Sequence, residues 1–328
     1  MKEIKRIAVF TSGGDAPGMN AAIRAIVRNA LNNDLHVYGI ARGYEGMIDG
    51  SVKRLETSDV SNIIHRGGTV LKTARSKRFL EPEGRKLAYE NLIYNDIDAL
   101  VAIGGNGTFT GASKFMEEYP DIPIVGIPGT IDNDLYGTDF TIGFDTAVNT
   151  AVQAVDKIRD TADSHNRLFF VEVMGRHSGY IALHTAIAGG AGGVLIPEEE
   201  SNIEELVKLL KRGAKRSKLF SIVLVAEGNQ MGTVYDIARQ VEEKIDVFDD
   251  IKVTVIGHLQ RGGSPSAFDR VLASILGFGA VEALLQGKSG VMVGIKNNNI
   301  HYTPFKEAIS KSKTFGKDLL RMAHILAQ

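Results

Sequence analysis

The chain has 328 residues, enough for two domains of the usual ~100–200 residues. Its 38 lysines and arginines nearly balance 39 aspartates and glutamates, so neither nucleic acid nor an acidic membrane is expected as a partner. No cysteine is present, which rules out disulfides, thiolate metal sites and thiol nucleophiles.

The N-terminal MKEIKRIAVF reads straight into a strand, without the apolar stretch of a signal peptide. Apolar runs stay far below the ~20 residues that span a bilayer, and a soluble cytoplasmic protein is expected. Strand-length apolar runs at 7–10, 37–40, 99–103, 124–127, 168–173, 222–225 and 253–256 read as buried on both faces, as parallel strands are. Helical periodicity falls between them, at 18–32, 84–95, 107–118, 144–163, 202–216, 234–245 and 266–286. The alternation predicts an α/β fold with right-handed crossovers. Ser264-Pro265 reads as an N-cap with proline at N1, and Ser201 or Asn202 as another helix start.

Ligands of open α/β sheets sit beyond the carboxyl ends of the strands, and the glycine-rich and charged segments fall there. TSGGDAPGMN (11–20) joins a strand to a helix, where backbone amides and a helix N-terminus suit phosphate; an ordinary turn is the alternative. GGNGT (104–108) is neither a dinucleotide fingerprint, since Gly111 comes one residue late, nor a Walker A loop. PGTIDND (128–134) holds two carboxylates beyond a strand end, which suits a base beside a cation, or else an Asx-rich turn. Arg75, Arg85, Arg167, Arg176, His258 and Arg261 are candidate cations for a phosphoryl group, although a single arginine is more often a solvated surface residue.

Together with TIGFDTA (141–147), KIRDTADSHNR (157–167), VEVMGRHSG (171–179) and GHLQRGGSPSAFDRVLAS (257–274), these segments resemble the bacterial-type ATP-dependent 6-phosphofructokinases, in that family's order. The resemblance covers about residues 4–296. It implies an α/β fold of two similar Rossmann-like domains, with mainly parallel sheets sandwiched by helices and the active site in the interdomain cleft. The implied ATP-binding domain is 1–143 plus 260–310; the fructose 6-phosphate domain is 144–259 plus 311–328. A homotetramer with sites shared between subunits is also implied, with Mg2+ accompanying ATP.

Residue by residue, the resemblance makes Asp132 the base, with Thr130 and Asp134 beside it, and Arg75 and Arg176 the cations at the transferring phosphoryl. ATP contacts fall on Gly14, Tyr44, Arg75, Arg85, Gly105, Asn106, Gly107 and Thr108. Sugar-phosphate contacts fall on Met174, Gly175, Arg176, Glu227, His258 and Arg261, with Arg167 and Lys252 reaching in from a neighbouring subunit. Asn106 and Asp132 stand at the magnesium positions. Arg24, Arg28, Ser61, Arg159, Arg216 and Lys218 fit an effector site. Glycine at 107 and 129, where pyrophosphate-dependent relatives carry aspartate and lysine, leaves room for a nucleotide.

Departures from the pattern are informative. Asn106 replaces an aspartate linked to magnesium, and Lys252 an arginine. Thr57, Gly192, Leu219 and Phe220 replace charged or polar effector contacts, so weakened control by ADP or phosphoenolpyruvate is expected. Two alternatives stay open: a catalytically weak or regulatory subunit, suggested by Asn106, and an NAD or lipid kinase with a GGDG-type loop. The latter families lack PGTIDND followed by MGR and HxQRGGSP.

Overall fold

A computed structural model describes residues 3–163, 167–200, 202–214 and 221–327. The chain divides into two compact units: Met1–Ile131, Leu135–Asp145 and Arg261–Lys313 form the first, and Asp132–Asp134, Thr146–Gln260 and Thr314–Gln328 the second.

The first unit runs β1 (Arg6–Thr11), α1 (Met19–Asn32), β2 (His36–Ile40), α2 (Gly43–Ile48), β3 (Val52–Leu55), α3 (Pro82–Tyr94), β4 (Ala99–Gly104), α4 (Asn106–Glu118) and β5 (Ile124–Pro128). The long helix α5 (Phe144–Asp163) then leads into the second unit. That unit holds β6 (Arg167–Val173), α6 (Tyr180–Ala188), β7 (Gly193–Leu195), α7 (Ile203–Ala214), β8 (Ser221–Ala226), α8 (Val234–Glu242) and β9 (Asp250–Val255). The chain returns to the first unit with α9 (Ala267–Leu285), β10 (Val291–Lys296), β11 (Asn299–Pro304) and α10 (Phe305–Ser310), and α11 (Lys317–Leu326) ends in the second.

The seven-stranded sheet of the first unit has the order β11-β10-β5-β4-β1-β2-β3. Its central strands pair in parallel, whereas β3 and β11 are antiparallel edges. Alternate side chains explain the layering. Ala8 and Phe10 of β1 face a core with Tyr44, Met47, Leu92, Phe109, Phe115 and Phe305 from α2, α3, α4 and α10. Ile7 and Val9, equally buried, point to the opposite face, where α1 packs on α9.

In the second unit the order is β7-β8-β6-β9, all parallel. Leu168, Phe170, Val223 and Val225 pack there against Leu206, Leu210, Ile237 and Val241 of α7 and α8. The strand read at 253–256 is not buried on both faces: β9 is an edge strand and Val255 is 45% exposed. The start of α9 also differs from the reading. Its N-cap is Ser266, whose Oγ accepts from Asp269 N at 3.2 Å, whereas Ser264 Oγ donates to His65 O at 2.6 Å. Asn202 does cap α7, accepting from Glu204 N at 2.7 Å; Ser201 lies outside the described residues.

Candidate active site

In the first unit β2 lies on one side of β1 and β4 on the other, so the winding reverses between β1 and β4. A crevice opens at such a switch point, beyond the carboxyl ends of the strands. Gly13-Gly14 follows β1 and Gly105-Asn106-Gly107 follows β4 at that place. Hydrogen bonds knit the strand ends: Ser12 N donates to Ile103 O (3.0 Å), Gly129 N to Gly104 O (3.0 Å) and Thr108 Oγ1 to Ser12 O (3.2 Å). A Cβ on Gly104 would sit 2.2 Å from Thr108 Oγ1, so only glycine fits this crossing. A Cβ on Gly107 meets nothing within 4 Å, whereas one on Gly129 would touch Ile103 Cγ2 and Met19 Cε at 3.0 Å. Asn106 is exposed at the first turn of α4, and Thr130 O accepts from Thr141 Oγ1 at 2.6 Å.

Two residues expected at ATP are placed in the core instead. Tyr44 is buried, stacked on Phe79 with ring centroids 3.9 Å apart, and donates to Thr108 O at 2.6 Å. Burial pushes its phenol far above the ordinary range. Its role is to back the Thr108 turn from behind. Arg85 is buried and forks onto Glu118, Nε to Oε2 and Nη2 to Oε1, both at 2.7 Å. Its Nη1 donates to Phe79 O and Leu80 O. Four of its five N–H donors are thereby engaged inside the unit. Arg75 is exposed. Arg261, expected at the sugar phosphate, donates from Nη1 to Asp15 O at 3.3 Å and packs on Gly14, where a Cβ would come 2.7 Å from that nitrogen.

The second unit offers a different kind of site, beyond β6. Arg176 has φ +52°, a left-handed conformation that costs a non-glycine residue about 1–2 kcal/mol and is held only where surroundings over-determine it. They do so here. Glu227 Oε1, at the end of β8, accepts from Arg176 N (2.7 Å) and Gly175 N (3.3 Å). A Cβ on Gly228 would lie 1.6 Å from Arg176 O, so the two turns pack backbone to backbone. Ser178 N donates to Gly175 O (2.9 Å), and Ser178 Oγ donates to Asp132 O (2.8 Å). The Asp132 carboxylate is buried at 5% exposure, with Arg176 Nε 4.0 Å from its Oδ2. The side chain of Arg176 is 60% exposed and has room to swing. Asn133, next to Asp132, takes φ +50°, which asparagine tolerates.

Met174 is buried, His258 and Glu227 are exposed, and Asp134 is half-buried. Arg167 on β6 and Lys252 on β9 flank one carboxylate, Asp250, which is Arg167's partner in the ladder: its Oδ2 lies 2.7 Å from Lys252 Nζ and 3.9 Å from Arg167 Nε. The Lys252 hydrogen bond, then the nearby positive charges, hold the Asp250 carboxyl below its ordinary range.

Among the effector candidates, Arg24 and Arg28 are four residues apart on α1 and share a face. Ser61 Oγ donates to Thr57 O, and Arg159 binds the carbonyls of Gly189 and Gly190. Arg216, Lys218, Leu219 and Phe220 lie outside the described residues. Sequence reasoning assigned no role to Ser178 or to Gln260, although both stand inside motifs it singled out. Among the described residues no three His, Asp or Glu side chains gather as a metal cluster, and no helix is long and apolar enough to cross a membrane.

Comparison with known proteins places this geometry in a family. The Phosphofructokinase profile matches residues 6–284. The chain is 56% identical to the ATP-dependent 6-phosphofructokinase of Cytophaga hutchinsonii, over 98% of each chain. It is also 56% identical to ATP-dependent 6-phosphofructokinase 1 of Thermus thermophilus, over 99% of this chain and all of that one. Among solved structures, the phosphofructokinase of Saccharomyces cerevisiae superposes with a TM-score of 0.90 at 38% identity; the match spans 98% of this chain and 48% of the yeast chain. A pyrophosphate-dependent phosphofructokinase from Marinobacter aquaeolei gives 0.84 at 25% identity, over 99% and 91% of the two chains. The chain belongs to the phosphofructokinase family.

Proposed function

We propose that the chain is a kinase that transfers the γ-phosphoryl group of MgATP to the 1-hydroxyl of fructose 6-phosphate, giving fructose 1,6-bisphosphate and ADP, a glycolytic reaction. The observation that carries the reading is the buried Asp132 carboxylate beside the strained Arg176 turn. Asp132 accepts the hydroxyl proton as the new O–P bond forms and the bond to ADP breaks. Arg176, whose charge balances Asp132 at rest, turns to the equatorial phosphoryl oxygens, and exposed Arg75 adds a second cation.

The sugar phosphate is met by Met174–Arg176, His258 and Glu227 in the second unit, and by Arg167 and Lys252 of a neighbouring copy. The nucleotide phosphates lie on the glycine loops after β1 and β4 of the first unit. Open space at Gly107 supports ATP as donor. Since relatives of this fold use either donor, it is the loop residues that support the choice. Asn106 and Asp132 are the residues that would supply the protein's share of magnesium binding, and the ion would offset the charge of the nucleotide phosphates.

A homotetramer is part of this reading. Phe268, Val271, Ile275 and Phe278 form an exposed apolar stripe at helical spacing on α9, the type of surface another copy covers. A Val271→Lys variant that kept the parent's mass in light scattering would exclude that face. Effector control by ADP or phosphoenolpyruvate is weak in this reading, because Thr57 and Gly192 replace charged partners. Strong sigmoidality relieved by ADP would contradict it. The central test is a coupled assay with MgATP and fructose 6-phosphate. Turnover supports the kinase, ATP binding without turnover supports a regulatory subunit, and turnover of NAD or a lipid instead refutes both.

A further inference from the structure

Gln260 is fully buried in the 3-10 turn Gly257–Arg261 that follows β9. Its Oε1 accepts from Met174 N at 2.8 Å, across 86 residues of sequence. The place of that bond in the sheet explains it. The parallel ladder of β6 with β9 ends at Glu172↔Val255, and Ile256 N then donates to Glu172 O at 3.0 Å. Beyond this point β9 turns away, and Met174 N has no backbone carbonyl from that strand. The glutamine side chain supplies the missing rung. The same switch logic applies as in the first unit: β8 lies on one side of β6 and β9 on the other, and Gln260 spans the resulting divergence.

Three successive backbone amides are thus held by side chains from other strand ends, Met174 N by Gln260 and Gly175 N and Arg176 N by Glu227. The amide orientation of Gln260 follows from this geometry, because the opposite flip would aim its NH2 at the Met174 N–H. Its own turn carries His258 on one side and Arg261 next to it. One buried side chain therefore joins the Met174–Arg176 turn to the turn that carries His258.

We propose that Gln260 is a positioning residue for the sugar phosphate, setting the spacing between Met174–Arg176 and His258 without touching substrate; this rests on the kinase reading above. Two variants separate positioning from mere packing. Gln260→Met keeps the volume and loses the acceptor, whereas Gln260→Glu keeps an acceptor toward Met174 N. Both are measured with the parent chain in steady-state kinetics, each substrate varied in turn, together with thermal unfolding.

Gln260→Met should raise KM for fructose 6-phosphate by about ten- to thirty-fold, the loss expected for one well-placed hydrogen bond acting through two contacts, while KM for MgATP stays within about twofold. Gln260→Glu should bring the sugar-phosphate KM back to within about threefold of the parent. An unchanged KM for fructose 6-phosphate in Gln260→Met, a parallel rise in both KM values, or equal defects in the two variants would overturn the proposal and leave the kinase reading standing. Absence of turnover by the parent would overturn both.

Discussion

Replacement of Arg85 separates a structural from a ligand-binding role more sharply than any other single change. The family resemblance sets this residue at ATP; the structure buries it, with its guanidinium shared between Glu118 and the carbonyls of Phe79 and Leu80. Arg85→Met fills the space but strands those acceptors. Removing one partner of a buried pair costs about 3–5 kcal/mol, and the 27% exposure of Glu118 allows water to recover part, leaving roughly 2–4 kcal/mol. For a unit of this size that is a fall of about 6–12 °C in the unfolding midpoint. Thermal unfolding without nucleotide measures the first quantity, and steady-state KM for MgATP, well below the midpoint, the second.

We expect the midpoint to fall and KM to stay within about twofold, with Glu118→Gln behaving alike, because the pair acts as a unit. The pH dependence gives an independent check. Hydrogen bonding to Arg85, then its charge, holds the Glu118 carboxyl below its ordinary range. Its stabilisation is therefore complete above the unfolded value of roughly 4.3 and is lost as pH falls through the lower folded value. Arg85→Met should lose less stability than the parent across that acid window. A tenfold rise in KM for MgATP with an unshifted midpoint would refute the reasoning and return Arg85 to the nucleotide.

Asn106→Asp restores a charge at the exposed first turn of α4, and should raise kcat/KM at limiting magnesium by about ten-fold or more; an unchanged value removes the magnesium reading of that position. Lys252→Arg can bind Asp250 and a phosphate with a planar fork, and should lower KM for fructose 6-phosphate several-fold, whereas an equal KM means the fork is irrelevant there. Thr185→Val removes a fully buried hydroxyl whose Oγ1 finds no partner among the described residues, and should raise stability by about 1 kcal/mol in calorimetry; a loss of stability would mean that the hydroxyl is hydrogen-bonded in the folded protein. Burial, then the charge of Glu227, pushes the Glu172 carboxyl up. Its folded value lies above the unfolded one, so its contribution is complete below roughly pH 4.3 and is lost as pH rises through the folded value. Glu172→Gln should flatten that decline in melting midpoint, and an identical pH slope would exclude Glu172 as its source.

What the sequence reveals and what it conceals divide along a physical line. Seven apolar runs were legible as strands: six are largely buried on both faces, and the seventh, β9, reads as apolar although it is a half-exposed edge. Strand β3, reading VKRL, and the three-residue β7 carry no such run. Helix α6 was hidden for the opposite reason: apolar almost all round, it has no polar face to set a period. The β10–β11 hairpin did leave a readable mark, since Asn297-Asn298 is a two-residue loop with both φ values positive, the conformation asparagine accepts in a hairpin turn.

The site follows the same division. Motifs at strand ends singled out Asp132, Arg176 and the glycine loops, because a phosphate would need backbone and cations at those ends whatever the rest of the chain does. The partner of each side chain is a different kind of information. Arg85 meets Glu118 from another helix, and Gln260, in the turn after β9, meets Met174 at the end of β6; neither encounter leaves a local pattern. An arginine beside a phosphate loop and an arginine behind it are identical in one dimension. Only packing tells them apart, and for that reason the side chains that hold this site in shape were harder to read than those that would perform its chemistry.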